Sequence, residues 1–463
     1  MKLIFDVSDK PKAGQLVVFA LQQMLAILAA TIAVPLIIGK GLTPAAAMFG
    51  AGVGTIVYIL FTKRKSPVFL GSSFAFLGSM AAAFAGGVSM QLGMLGLIVG
   101  AFLAGLVYVV IAIVVKFVGV GWLNKLMPAV VIGPTVAIIG LSLAGNAIGD
   151  LVKGDVTKQV TEYAVSTDSG TPEIIETVSN VPVGSSYVAL ICGLITLAVV
   201  MLCSTYGKKT LRLIPFIIGI LAGYAAAAIF TVIGNICDID ALKIVDFSVF
   251  SSYMLTDGSV SLKTFVSLPD FAFVSGLKGL KEFDFTYFAT IFVAYVPVAL
   301  VVFAEHVADH KNLSSIIDHD LLEEPGLTRT LLGDGVGSIA GALFGGCPNT
   351  TYGESVACVA ITGNASVVTI FAAAIGCMLF SFITPLVAFV DSIPACVMGG
   401  VCIALYGFIA VSGLKMIQDA NLDDNRNLFV VSVILIAGIG GLTLTFGDIT
   451  LTEVAAALIL GIL

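Results

Sequence analysis

Two acids four residues apart, Glu305 and Asp309 in FAEHVADH, close an apolar run, and a third, Glu354, lies in the polar knot GGCPNTTYGES at residues 345–355. A spacing of four puts Glu305 and Asp309 on one helical face. Carboxylate oxygens accept hydrogen bonds, so that face suits a ligand bearing N–H groups, and a carboxyl also takes up and returns a proton. An acid at the centre of a membrane helix costs about 2.5–3.5 kcal/mol on insertion scales, so one placed there calls for a function. Gln22 and Gln23 add polar groups early in the first apolar run. Plainer readings stand beside these. By hydropathy alone Glu305 lies at the inner end of its run, like a juxtamembrane charge. Glu354 also suits a first helical turn, where the helix dipole favours an acid. His306, His310 and His319 fall where the chain turns polar and read as surface residues, with no HExxH spacing for a metal. Asp391, shortly before Pro394, reads as a helix-entry residue.

These groups need an interrupted backbone to hold them. Pro348 stops one helix, Thr350 and Thr351 suit an extended stretch, and a new helix is expected from Tyr352–Glu354. The first N–H groups of such a half-helix lack partners and point at its N-terminal side as ready donors. SPVFLGSSFAF at residues 66–76 repeats the plan: Pro67, a short extended stretch, then a half-helix from Gly71. Non-helical backbone survives at membrane depth only where protein or a wet cavity satisfies it.

Composition supplies the membrane. Of 463 residues, 58% are hydrophobic and 11% charged, against about a quarter charged in soluble domains. Apolar runs at about 15–38, 43–61, 92–115, 128–148, 186–203, 213–236, 286–308, 366–390, 394–412, 427–446 and 451–463, with broken runs near 67–86, 327–346 and 352–363, make fourteen candidate segments. With the N-terminus inside, Lys63, Lys116, Lys208, Lys311 and Lys415 collect on the cytoplasmic side, and both termini are expected there. The loop 149–185 reads as a β-hairpin cap, and LKGLKEFDF as a short interfacial helix. Eight cysteines scattered in apolar runs read as packing residues, without disulfide or metal spacing. Pro128–Gly133 (PAVVIG) recurs as Pro394–Gly399 (PACVMG), and the two broken runs echo each other. Seven segments per half require the second copy to be inverted, and paired interrupted segments are a pointer to a transporter site.

LGSSFAF, AEHVADH, DLLEEPGLTRT, GGCPNTTYGES and SIPACVMGG, in this order along the chain, resemble the nucleobase–ascorbate transporter family, and within it the bacterial uracil permeases. The resemblance implies an all-α polytopic membrane protein of fourteen segments in two inverted sevens, the third and tenth each a short strand plus a half-helix. It implies a core domain (residues 1–126 and 285–390) and a gate domain (127–284 and 391–463), with a homodimer formed through the gates, in a bacterial inner membrane. It makes Glu305 and Glu354 the carboxylates that bind a base, main-chain amides of Phe74, Tyr352 and Gly353 its donors, and Ala30 and Tyr406 its flanking residues. Glu305, Asp309 and Gln23 would carry proton coupling. The expected activity is proton-coupled import of a nucleobase, uracil first, with no cofactor, metal or nucleic acid. Three positions depart from the uracil permeases: Asp309 and Gln23 replace histidines, and Ser355-Val356-Ala357 replaces Asn-x-Gly. Asp309 favours a xanthine or urate carrier as the alternative. An anion carrier of the related sulfate-transporter fold is disfavoured by the two carboxylates. An intramembrane hydrolase is disfavoured because no Ser–His pair suggests itself within the spans.

Overall fold

The computed structural model describes residues 3–119, 122, 128–166, 173–208, 210–254, 259–418, 420–446 and 449–463. The expected domain boundary at residues 126 and 127 lies outside them. Eight helices among the described residues are long and apolar enough to cross a membrane: Ala13–Ile38, Pro44–Phe61, Met90–Val118, Ala129–Leu151, Ser186–Tyr206, Pro215–Cys237, Phe285–Ile317 and Ala395–Met416. Shorter apolar helices are Phe74–Ala83, Gly353–Thr362, Val367–Phe380, Asn425–Ile439 and Glu453–Ile462, and Leu327–Gly345 adds a glycine-rich one. The run expected at 366–390 is broken by a turn before Thr384–Asp391. The run expected at 427–446 ends in a strand, Leu444–Phe446, paired with Ile449–Leu451. The polar loop forms the expected hairpin, Thr157–Ser166 against Glu173–Pro182. All eight cysteines are free.

Local chemistry explains the boundaries that matter. Asp284 caps the Phe285–Ile317 helix by accepting the Tyr287 N–H at 2.7 Å, and Asp318 ends it in the left-handed conformation. The helix runs well beyond the apolar stretch that announced it, which ended at about 308. At 1.5 Å per residue, Glu305 is about 18 Å from its C-terminal end. Hydropathy placed Glu305 at an end because Glu305, Asp309, His310 and Lys311 lower the local average, although the helix continues through them.

The two interrupted segments meet. Leu70–Ser72 pairs antiparallel with Asn349–Thr351, Leu70 opposite Thr351 and Ser72 opposite Asn349. The strand takes in Gly71 and Ser72, so the first half-helix begins at Phe74, not at Gly71 as the sequence suggested. Each strand leads into a short helix, Leu77–Ala83 after a tight turn at Phe74–Phe76 and Gly353–Thr362 after Tyr352. Close helix packing makes room for the pair. A Cβ on Gly54 would sit 2.7 Å from the Gly337 carbonyl, and one on Gly341 would sit 2.0 Å from Asn349 Nδ2. Glycine at these positions lets Pro44–Phe61 and Leu327–Gly345 touch backbone to backbone. Asn349 then closes the junction, donating to Gly50 O at 3.2 Å while its N–H donates to Ser338 Oγ at 3.0 Å. The repeated PAVVIG and PACVMG stretches open Ala129–Ser142 and Ala395–Met416, which pack on each other where Gly140 faces the Tyr406 carbonyl.

Candidate functional site

A cavity of about 430 Å³ lies beside the strand pair. One wall carries Glu305, Ala308, Asp309 and Asn312 from Phe285–Ile317, and Gly353, Glu354 and Ala357 from the half-helix. The facing wall is apolar, with Val136, Phe216, Leu405 and Phe408, while Ser204, Arg212 and Ser412 add polar groups. The acids thus share one side of a cavity whose other side offers flat hydrocarbon.

The carboxylates are held differently. Asp309 Oδ2 accepts the Thr351 hydroxyl at 2.8 Å, which links the long helix to the end of the second strand. Glu305 has no hydrogen-bond partner among the described residues and lies within electrostatic reach of Asp309, Glu354 and Asp334. Glu354 occupies the first turn of its half-helix, so the helix dipole favours it there and its carboxyl group lines the cavity beside the exposed Gly353. Ser355 anchors that turn: its Oγ accepts the Phe69 N–H at 3.0 Å and the Gln23 amide at 2.5 Å.

Of the residues expected at the site, Glu305, Asp309, Glu354 and Gly353 come together around this cavity. Tyr352 corrects the expectation. Its amide is spent on the Phe69 carbonyl at 3.2 Å, and its buried hydroxyl donates to Ser72 O at 2.9 Å, so Tyr352 builds the strand junction and offers no free donor. Gln23 is buried and gives its side-chain amide hydrogen to Ser355, and it does not line the cavity. Ala30 is buried in the first helix. Phe74 packs edge-on against Tyr406, with ring centroids 5.8 Å apart, and lines a second, narrow cleft with Gly78, Thr452 and Glu453. Leu405, next to Tyr406 in the chain, lines the main cavity, whereas neither ring of the aromatic pair does.

The histidines correct a second expectation. His306 and His310 are fully buried, and only His319 is exposed. His306 reaches Asp334 Oδ2 at 2.7 Å through Nδ1 and Thr330 Oγ1 at 3.0 Å through Nε2. A threonine–imidazole–carboxylate row therefore exists within the spans, with a threonine where the sequence reading had looked for a serine. Thr330 is fully buried, lines none of the cavities described here, and aims its own hydrogen at Leu327 O, so the row has no access to a substrate. Sequence reasoning missed Asp334, the third member, because a single acid in LLGDGVG carries no spacing signal.

Comparison with known proteins agrees with this architecture. The permease family model matches residues 14–179 and 169–446. The uracil permease of Bacillus caldolyticus is 36% identical, over all of this chain and 94% of its own length. That of Bacillus subtilis (strain 168) is 35% identical over the same shares, and that of Escherichia coli (strain K12) 33% over 98% of this chain and 92% of its own. Among solved structures, the transmembrane domain of the cyanobacterial bicarbonate transporter BicA superposes with a TM-score of 0.60 at 14% identity, covering 94% of this chain and 99% of that one. SLC26A9 superposes with a TM-score of 0.60 at 13% identity, covering 98% of this chain and 65% of that one. These last two likenesses concern the fold alone. The family model and the full-length likeness to the uracil permeases place the chain in the permease family, that of the nucleobase–ascorbate transporters.

Proposed function

We propose that the protein is a secondary transporter, not an enzyme, that imports uracil with a proton across a bacterial inner membrane. The observation that carries this reading is the gathering of Glu305, Asp309, Glu354 and Gly353 around one cavity at the helix break. Uracil offers ring N–H donors and two carbonyl acceptors on a flat, uncharged ring. Glu305 and Glu354 accept from the N–H groups, the Gly353 N–H and the neighbouring Phe74 amide donate to the carbonyls, and Ala30 and Tyr406 flank the ring as the core closes. A site built for such bonds rejects analogues that leave a buried group unpaired.

Counted one segment each, the eight long helices, the five shorter ones and Leu327–Gly345 support a reading of fourteen segments in two inverted halves. Core (1–126, 285–390) and gate (127–284, 391–463) then rock against each other, and the gates join two copies. The lining of the main cavity includes Arg212, Asn312 and Met416, close in sequence to Lys208, Lys311 and Lys415, which the positive-inside rule makes cytoplasmic. These residues support an inward-facing reading, in which the Phe74–Tyr406 contact belongs to the outer path. Glu305 and Asp309 carry the coupling proton, and Gln23 supports them through Ser355. No cofactor enters.

Purified protein stabilised by uracil, and not by xanthine, supports the assignment, since a ligand at 100 times its dissociation constant adds about 2.7 kcal/mol. Stabilisation by xanthine alone would replace it with the purine reading, which Asp309 in the cavity wall favours. Glu305→Gln should still bind uracil but fail to accumulate it against a gradient. Accumulation driven by a pH difference in that variant would remove Glu305 from the coupling step.

A further inference from the structure

Behind the face that bears Glu305 and Asp309, the same helix buries His306 and His310, stacked with ring centroids 4.0 Å apart. Neither lines the cavity. Their partners decide where the hydrogens lie. His310 Nδ1 is 2.7 Å from the His306 carbonyl, which can only accept, so Nδ1 carries the hydrogen. Its Nε2, 2.6 Å from the Tyr58 hydroxyl, then accepts from Tyr58, whose oxygen receives the Ser66 hydroxyl at 2.7 Å.

His306 differs. Thr330 gives its hydrogen to the Leu327 carbonyl at 3.1 Å, so His306 Nε2 donates to Thr330. The 2.7 Å contact between His306 Nδ1 and Asp334 Oδ2 needs one hydrogen, and either atom can hold it. A protonated acid donating to a neutral ring and an imidazolium donating to a carboxylate share the same heavy-atom positions. Only the charge moves. The surroundings make that movement matter. On the same helix the titratable neighbours of the pair are Glu305, Asp309 and His310, of which His310 stacks on His306. Asp334 comes from Leu327–Gly345, Tyr108 from Met90–Val118, Tyr58 from Pro44–Phe61 and Glu354 from the half-helix. The groups acting on Glu305 are all acids, namely Asp309, Glu354 and Asp334, and His306 is the adjacent residue able to turn positive.

We propose that His306 and Asp334 hold one shared proton whose position follows the charge of Glu305. When Glu305 gives its proton to water, the hydrogen moves from Asp334 Oδ2 to His306 Nδ1, and an imidazolium stands next to the new carboxylate. When Glu305 is protonated again, the hydrogen returns to Asp334. No proton enters or leaves the pair, whose net charge stays zero. In a low-dielectric interior the imidazolium, on the residue adjoining Glu305, favours that ionisation and offsets the repulsion from the Asp334 carboxylate formed with it. His306 and Asp334 are positioning residues in this scheme, which rests on the proton-coupled reading above.

The test is nitrogen NMR of histidine-labelled, full-length protein in detergent. The chain has three histidines, and His306→Gln assigns the signal. The expected result is inverted: His306 Nδ1 gains its hydrogen as pH rises through the ionisation of Glu305, whereas an ordinary imidazole gains it as pH falls. A His306 signal that changes in the ordinary sense, or never, overturns the proposal. As a second arm, Asp334→Asn keeps a donor for Nδ1 but cannot give up a proton. In the proton-coupled reading uracil binds while Glu305 is protonated, so the pH at which binding is lost should then rise by about one unit, with affinity at acid pH retained. An unshifted profile overturns the proposal, and the labelled unaltered protein decides alone if the variant does not fold. Uracil binding flat with pH in the unaltered protein would remove proton coupling and this inference together. A sloping profile with an ordinary His306 would remove this inference only.

Discussion

Thr351 donates its hydroxyl to Asp309 Oδ2 at 2.8 Å, tying the last residue of the second strand to the acid face of the long helix. A hydrogen bond to a charged group contributes about 1.5–3 kcal/mol. Thr351→Val should therefore lower uracil uptake several-fold with the fold intact, and Thr351→Ser should restore it. Equal uptake by the valine variant in whole cells would show that Asp309 needs no such orientation.

Glu354 stands in the first turn of a half-helix and faces the cavity with Gly353. Removing its side chain deletes an acceptor for a ring N–H. Glu354→Ala should abolish stabilisation of the purified protein by uracil, while the melting temperature without ligand changes little. Retained stabilisation would take Glu354 out of the binding site.

Gly341 has no room for a methyl group, because a Cβ would meet Asn349 Nδ2 at 2.0 Å and the Gly50 carbonyl at 2.9 Å. Overpacking of this kind typically costs about 1–3 kcal/mol. Gly341→Ala should lower the melting temperature and, by displacing Asn349, reduce transport more than the loss of folded protein explains. Transport per folded molecule, measured in proteoliposomes, checks this.

The narrow cleft beside Phe74 brings the two expected domains together: a Cβ on Gly78 would lie 3.9 Å from Thr452 Cβ. That separation suits a disulfide. The double variant Gly78→Cys with Thr452→Cys should cross-link on mild oxidation, block uptake, and recover on reduction. Cross-linking without loss of uptake would mean that this cleft does not open during transport.

Asp155, in the loop after Ala144–Leu151, accepts the Ala395 N–H at 3.1 Å and so holds the start of the Ala395–Met416 helix. Burial pushes its carboxyl up to about 6; the Ala395 N–H opposes the rise, and Asp246 and Asp150 add to it. A raised folded value means that stability is greatest below pH ~4 and is lost as pH climbs through about 6. Asp155→Asn keeps an acceptor and never ionises. It should be more stable than the unaltered protein at pH 7.5, by up to about 3 kcal/mol, and equal to it near pH 4. A gap that does not shrink on acidification would contradict this account.

Much of the site was legible along the chain. Pro348 and Pro67 announced the breaks, the threonines the short strand, and the four-residue spacing put Glu305 and Asp309 on one face. These are local effects of backbone chemistry and helical period, and they need no knowledge of neighbours. Window-averaged hydropathy failed where polar residues cluster inside a helix. It ended the Phe285–Ile317 helix too early and turned His306 and His310 toward solvent, although both are buried.

The amino-acid sequence by itself determined that this chain spans a membrane with two interrupted segments and carries three acids fit to meet a polar ligand, since composition, period and proline act within a few residues. Only the tertiary structure decided which of those groups share a cavity. It committed the Tyr352 amide to Phe69, set Gln23 on Ser355, and brought Asp334 to His306 across 28 residues of sequence. Each of these outcomes depends on a partner distant in the chain, and a hydrogen-bonding group is free for a ligand only when folding has left it without one.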